Sequence, residues 1–498
     1  MKVPTHIFAA LIVICALVAS GCTDSAPSGP SAGLGGVTVT KYVSIGNSLT
    51  AGYQSNGLYQ SAQIYSYPNL IAQQLTASGA NLGAFQQPLY SDPGTPDPTT
   101  GLASRYEIIS LNGPIVGPKG LTPGAPLNTA LPRPYDNLGI PGAVIYDAID
   151  TTNFASKGLP PRSNPLFSLV LRSSMFGSSV LAQAIALNPN LVTFWLGNND
   201  VLGFATSGGT SPSAPTDAAT FAFLYNQALA GLHTSLPNAK ILVANIPDVK
   251  AVPFFTTINA KLAAGLQAVK AVNPAVVGLF YEKHGEVVAT SYTNFNAPAT
   301  DPLITLKAGP YAGLLAQPTG KWYRDVAALL GVPLAAVIGA GIDTTQPFGL
   351  DPRNPFPDAL VLDAGEQATA ATAISAFNQT IATVAAANGA AVVDMNGFFN
   401  MVKTSGFTVD GETFTTAYIS GGLFSLDGVH PSCKGYGIVA NEYIKTMNAS
   451  FGMHVPYVSI NSLPGIPAPL GKYAGEKVIP TIPYSAWKSF DALWGSGF

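Results

Sequence analysis

Charge is scarce in this chain. Only 10% of the 498 residues are Asp, Glu, Lys or Arg, and 23 basic against 26 acidic side chains leave a net charge of −3. No run of Lys and Arg exists, so the basic footprint of a nucleic-acid binder is missing and no nucleic-acid partner is expected. Histidine is rarer, with five in the whole chain. No His/Cys cluster stands at ligand spacing, so nothing in the sequence calls for a metal or another cofactor. Three cysteines are present, Cys15, Cys22 and Cys433. The first two fall in a leader region, so the body holds one thiol and no internal disulfide. Cys433 then reads as a small buried apolar residue. What the chain does have is apolar: 47% hydrophobic residues, with 51 Gly and 41 Pro, which describes a folded chain with long connections.

The N-terminus reads as a leader rather than as fold. Lys2 precedes an apolar run over residues 7–19, too short to span a bilayer comfortably and suited to a signal h-region. It ends in Ala19-Ser-Gly-Cys22. This resembles the bacterial lipobox, with Ala where Leu is usual, and implies cleavage before Cys22 and a lipid on it. Residues 1–21 are therefore expected to be a lipoprotein signal peptide and 22–36 a Ser/Pro/Gly tether. The expected location is the cell envelope, anchored to a membrane through Cys22, and Thr23 after the cysteine points to the outer membrane. The tether contains a literal Gly-x-Ser-x-Gly, Gly29 to Gly33, but that elbow needs a strand before it and a helix after it, and linker flanks it on both sides.

Beyond the tether, four short β-branched runs recur at residues 43–45, 191–197, 239–249 and 390–397, apolar on both faces as in a buried parallel sheet. A fifth strand is expected just before Asn137, without a clear apolar run. Helical periods lie between, the clearest being Ile374, Phe377, Ile381 and Val384 ahead of Gly389, and another fits 67–79. The alternation predicts an α/β class, a three-layer α/β/α sandwich around a mostly parallel sheet. Ligands of such sheets sit beyond the carboxyl ends of the strands. Residues 37–451 are expected to form this domain, with insertions at about 86–134 and 294–357 and an extension over 452–498. Connections that long are usually functional, and both insertions are expected to wall or cover the site.

At the first strand end stands Gly46-Asn-Ser48-Leu-Thr-Ala-Gly-Tyr53. Read alone, Gly-Asn-Ser is ordinary turn chemistry. Three later stretches bear on it: Asn137-Leu-Gly-Ile-Pro-Gly142-Ala, Gly197-Asn-Asn199-Asp200, and Ser425-Leu-Asp427-Gly-Val-His430-Pro. In this order the four blocks resemble the GDSL, or SGNH, family of serine esterases and acylhydrolases. The likeness covers roughly residues 41–443 and implies a flavodoxin-like SGNH hydrolase fold.

The resemblance implies a catalytic set of Ser48, Asp427 and His430. A serine hydroxyl needs a base to take its proton. His430 is that base, and Asp427, three residues before it, would hold Nδ1–H so that Nε2 faces the hydroxyl. His233, His284 and His454 have no Asp at that spacing. The resemblance also implies an oxyanion hole from the backbone N–H of Ser48, that of Gly142 and the Asn199 amide. Read alone, Gly142 is a turn after Pro141 and Asn199 a turn asparagine. Asp200 reads as ordering its loop. Where the family name spells Gly-Asp-Ser-Leu, this chain has Asn47, expected to brace the turn with its side-chain oxygen.

The function expected is hydrolysis of a carboxylic ester through an acyl-enzyme, with an acyl-ester substrate of lipid or other type. A polysaccharide O-deacetylase of the same family is the alternative. From another class, a non-catalytic ligand-binding envelope lipoprotein would be expected to have lost Ser48, His430 or an oxyanion donor, and all are present.

Overall fold

The structure is a computed structural model. It describes residues 32–110, 114–151, 164–210, 214–291, 301–466 and 479–494. The expected signal peptide, Cys22 and most of the expected tether lie outside them.

Five strands form one parallel sheet: β1 (Tyr42–Gly46), β2 (Asn137–Gly139), β3 (Leu191–Trp195), β4 (Lys240–Ala244) and β5 (Ala391–Val393). Their spatial order is β5-β4-β3-β1-β2, the flavodoxin-like order, with β1 beside both β2 and β3. Ser44 aligns with Asn137 on one side and Thr193 on the other, so all three strands end at the same edge. The fifth strand is the glycine block itself. Asn137 and Gly139 carry no apolar signature, and only the pairing with β1 makes them a strand.

Alternating strand residues feed two apolar layers, as period 2 requires. Val43, Ile45, Val192, Phe194, Ile241 and Val243 pack in one layer with α4 (Ala218–Ser235), α5 (Pro253–Val272) and α6 (Ala364–Ala387). Tyr42, Leu191, Trp195, Leu242 and Val393 pack in the other with α2 (Tyr67–Ala77) and α7 (Cys433–Phe451). The three-layer α/β/α sandwich expected from the alternation is what forms. α6 buries Ile374, Phe377 and Ile381 and ends before Gly389, whose φ of +63° stops it.

The chain outside the sandwich makes small antiparallel hairpins, 106–110 with 115–118 and 278–283 with 286–291. Residues 484–494 return to the domain. Trp487 and Phe490 are buried among Tyr106 and Phe254, and Lys307 Nζ meets Asp491 at 2.7 and 2.8 Å in a buried pair.

Candidate active site

Ser48 opens α1 (Ser48–Ala51), a single turn directly after β1. The turn is tight because Gly46 and Gly139 have no side chains. A Cβ on Gly46 would come 1.9 Å from Thr50 Oγ1, and one on Gly139 would come 2.4 Å from Ala51 N. Asn47 is the N-cap, and its Oδ1 accepts from Leu49 N–H at 3.0 Å. Its Nδ2 is buried and donates to no described group.

The Asp-x-x-His block meets this turn from the far end of the chain. His430 Nε2 lies 2.9 Å from Ser48 Oγ, and His430 Nδ1 lies 3.0 Å from Asp427 Oδ2. Asp427 Oδ1 accepts from the backbone N–H of Val429 at 2.9 Å and of His430 at 2.8 Å. Serine, histidine and aspartate are all buried, at 2%, 1% and 0% exposure. Burial pushes the Asp427 carboxyl up. The facing His430 charge, with hydrogen bonds from the ring and from these two N–H groups, outweighs it and holds Asp427 below the ordinary carboxylate value. A carboxylate held charged fixes the ring so that Nδ1 donates to it and Nε2 accepts from the serine hydroxyl. That arrangement can move the Ser48 proton onto His430. The loop is fixed from below: a Cβ on Gly428, at φ +74°, would reach 2.9 Å from Leu306 Cδ2, and Phe254 N–H donates to Gly428 O at 2.9 Å.

A further donor to Asp427, the second on Oδ2, comes from a residue the motifs do not include. Ser55 and Asn56 both adopt positive φ, at +49° and +61°. This turn aims Asn56 N–H at Asp427 Oδ2, 2.9 Å away, while Ser55 N–H donates to Ser425 Oγ at 2.9 Å. Asn56 Oδ1 accepts from Tyr53 OH, and its Nδ2 reaches Ser489 Oγ at 2.7 Å. Tyr53 in turn packs on His430, with ring centroids 4.8 Å apart, and Phe490 stands at 6.4 Å from the same ring. The signal available in the sequence was a Ser-Asn pair tolerant of left-handed backbone just after the serine block.

The three oxyanion candidates fall around Ser48 at the carboxyl ends of β1, β2 and β3. Ser48 is the first residue of α1, where a backbone N–H has no preceding helical turn to donate to. Gly142, three residues past β2, has φ +80°, and a Cβ there would come 2.1 Å from Leu493 O, so only glycine fits. Asn164 Nδ2 holds the preceding peptide by donating to Pro141 O at 2.7 Å. Asn199 begins α3 (Asn199–Thr206) and donates one amide hydrogen to Ala143 O at 2.9 Å, leaving the other. Asp200 does order the loops, accepting from Ile145 N–H at 3.0 Å and from Thr216 Oγ1 at 2.9 Å. Asn198 was not singled out from sequence; its Nδ2 is buried without a hydrogen-bond partner beside Asn199.

Ser48, His430, Asn198 and Asn199 line an apolar cavity of about 60 Å³, with Leu49, Leu202, Val249 and Phe399 among its walls. Every lining residue comes from the sandwich and its strand-end loops. Among the described residues neither insertion contributes, contrary to the expectation that both would wall the serine. Tyr90, Thr95, Pro98, Pro126 and Thr129 of the first insertion instead line a second cavity of about 440 Å³, together with Tyr53, Asn164 and Leu493. Residues 303–312 support the histidine loop from beneath through Leu306. The sandwich's own strand-end loops supply the apolar surface that the insertions were expected to provide. Cys433 is buried and free, its thiol pushed up by burial to about 11, so it offers no thiolate at neutral pH.

Residues 42–301 match the GDSL-like Lipase/Acylhydrolase family. That span holds the serine, glycine and Gly-x-Asn-Asp blocks; the Asp-x-x-His block lies beyond it. Two solved structures show a loose likeness. One is named as a GDSL-like lipase from Parabacteroides merdae, 12% identical, covering 84% of this chain and 99% of its own, with a TM-score of 0.31. The other is a family 3 carbohydrate esterase from Clostridium thermocellum, 16% identical over 48% of this chain and 71% of its own, with a TM-score of 0.20. Superpositions that loose add nothing to the sheet order. No curated protein matches the chain. With 260 of its 498 residues inside the family match, the chain belongs to the GDSL-like lipase/acylhydrolase family.

Proposed function

We propose that this protein hydrolyses carboxylic esters bearing short acyl groups, with Ser48 as nucleophile. His430 Nε2 takes the Ser48 proton as Oγ attacks the ester carbonyl carbon. Asp427 stays ionised and steadies the imidazolium that results. The oxyanion is held by the N–H groups of Ser48 and Gly142 and by the Asn199 amide. His430 then returns the proton to the leaving alcohol, which departs and leaves acyl-Ser48. Water, deprotonated by His430, repeats the attack and releases the acid. The observation that carries this reading is the continuous hydrogen-bonded line from Ser48 to His430 to Asp427 beside an apolar cavity.

The size of that cavity supports the short acyl class, which includes the O-deacetylase reading, over long-chain lipid. About 60 Å³ is small beside the about 300–1,000 Å³ of pockets for drug-sized ligands. The sequence supports export and a lipid on Cys22, in a segment outside the described residues. Among the described residues no helix is long and apolar enough to cross a membrane.

The test is a fluorophosphonate label with peptide mapping, alongside Ser48→Ala and His430→Ala turnover of an acetyl ester. Label on Ser48 alone and kcat losses of several orders of magnitude, similar for both variants, are expected. Turnover surviving in Ser48→Ala would place the nucleophile elsewhere, and no turnover in the wild type with any ester would leave the non-catalytic binding reading in its place.

A further inference from the structure

A second cluster of titratable side chains lies away from Ser48. The hairpin 278–283/286–291 turns through His284, whose φ is +51°. Its backbone N–H donates to Asp358 Oδ2 at 3.1 Å. The imidazole Nδ1 stands 3.9 Å from that oxygen, and Nε2 stands 3.7 Å from Glu366 Oε1. Glu366 sits in the first turn of α6, where Oε2 accepts from Asp363 N–H at 2.7 Å in a capping box. Its other oxygen, Oε1, has no hydrogen-bond partner although the residue is only 4% exposed. One nitrogen of His284 and one carboxylate oxygen each from Asp358 and Glu366 lie within 4.8 Å of one another.

The charge around this cluster is unbalanced. Asp358, Asp363 and Glu366 face a single ammonium, Lys283 Nζ, 3.3 Å from Asp363 Oδ2. Burial pushes the Glu366 carboxyl up to about 8; the Asp363 N–H bond and Lys283 oppose this, and the Asp363 and Asp358 charges add to it. A buried carboxylate oxygen with no donor costs free energy unless a proton or a cation reaches it.

We infer that His284, Asp358 and Glu366 form a binding site for a divalent transition cation of the zinc class. An imidazole with two carboxylates suits zinc better than the hard, oxygen-only preferences of calcium or magnesium. Three protein donors and one water complete a tetrahedron. The donors are 74 and 8 residues apart in sequence, so no ligand spacing announces them. The hairpin turn carrying His284 is exposed, and coordination requires it to draw in so that donors now within 4.8 Å of one another close to about 3.4 Å.

The position gives the ion a structural role. Gly209 follows α3, and a Cβ there would fall 1.9 Å from Glu366 Oε1, so the exit of α3 rests on this carboxylate. Asn199 stands at the other end of α3, about 12 Å away for eight residues. The ion would tie the hairpin, the start of α6 and the end of α3 together without touching the reacting atoms.

Purified protein stripped with EDTA and desalted is titrated with ZnCl₂ by calorimetry and followed by thermal unfolding. One ion per chain and a Tm rise of about 2 °C or more are expected. His284→Asn keeps the left-handed backbone and the fold but removes the imidazole; Glu366→Gln keeps a capping oxygen but removes the charge. Each should weaken zinc at least about tenfold with unchanged circular dichroism. No stoichiometric uptake, uptake unaltered in His284→Asn, or tighter binding of Ca²⁺ than of Zn²⁺ overturns the site.

Discussion

The cavity beside Ser48 makes a quantitative statement about acyl length. Its volume of about 60 Å³ is small beside the about 300–1,000 Å³ of pockets for drug-sized ligands, so short acyl chains fill it. Passing from acetyl to butyryl adds two methylenes to apolar walls that include Leu49, Leu202 and Phe399. At about 0.8 kcal/mol per buried methylene, the gain is about 1.6 kcal/mol, or about 15-fold in kcat/KM. Longer chains must displace packed side chains, and overpacking costs about 1–3 kcal/mol. Hexanoyl and longer esters should therefore lose about 5- to 150-fold from the maximum. Leu202→Ala removes three carbons from the wall and should move the maximum toward hexanoyl. The assay is a nitrophenyl ester series from acetyl to dodecanoyl, run on wild type and variant under matched conditions. A rate that climbs steadily through dodecanoyl, or a maximum that stays put in Leu202→Ala, would refute this assignment of the acyl site.

Asn199→Ala should lower kcat by about 10²–10³ with little change in KM, as expected when one oxyanion donor is removed; a pure KM effect would restrict it to ground-state positioning. Asn47→Asp keeps the oxygen that caps Leu49 N–H and should leave kcat/KM within about tenfold, so a larger change in steady-state kinetics would assign the missing charge a catalytic part. Asn56→Gly keeps the left-handed turn and its N–H but removes the side-chain ties to Tyr53 and Ser489; a loss in kcat without unfolding is expected, and unchanged kinetics would reduce Asn56 to packing. Cys22→Ser should abolish metabolic labelling by a palmitate analogue and leave a soluble or uncleaved form. Absence of label on the wild type would dispose of the anchor.

The amino-acid sequence by itself determined the class of fold and the setting of Ser48. β-branched runs bury both faces only in a covered parallel sheet, and a helix period such as Ile374, Phe377 and Ile381 survives any tertiary context that buries one stripe. The Asp427–His430 contact was legible for the same reason, since three residues of loop bring the carboxylate to Nδ1 without help from elsewhere. Tertiary structure alone decided what lies far apart in sequence. Asn137–Gly139 became a strand only through β1. Asn56 became a donor to Asp427 across 371 residues, and Leu493 closed over Gly142 from a tail that reads as an appendage. The described walls of the cavity beside Ser48 came from strand-end loops rather than from the long insertions, because insertion length says nothing about the direction in which a segment packs. His284, Asp358 and Glu366 converge in the same way. Local propensity and period are written in neighbouring residues, whereas a site assembled from distant loops exists only once the burial of the whole core has fixed where each loop ends.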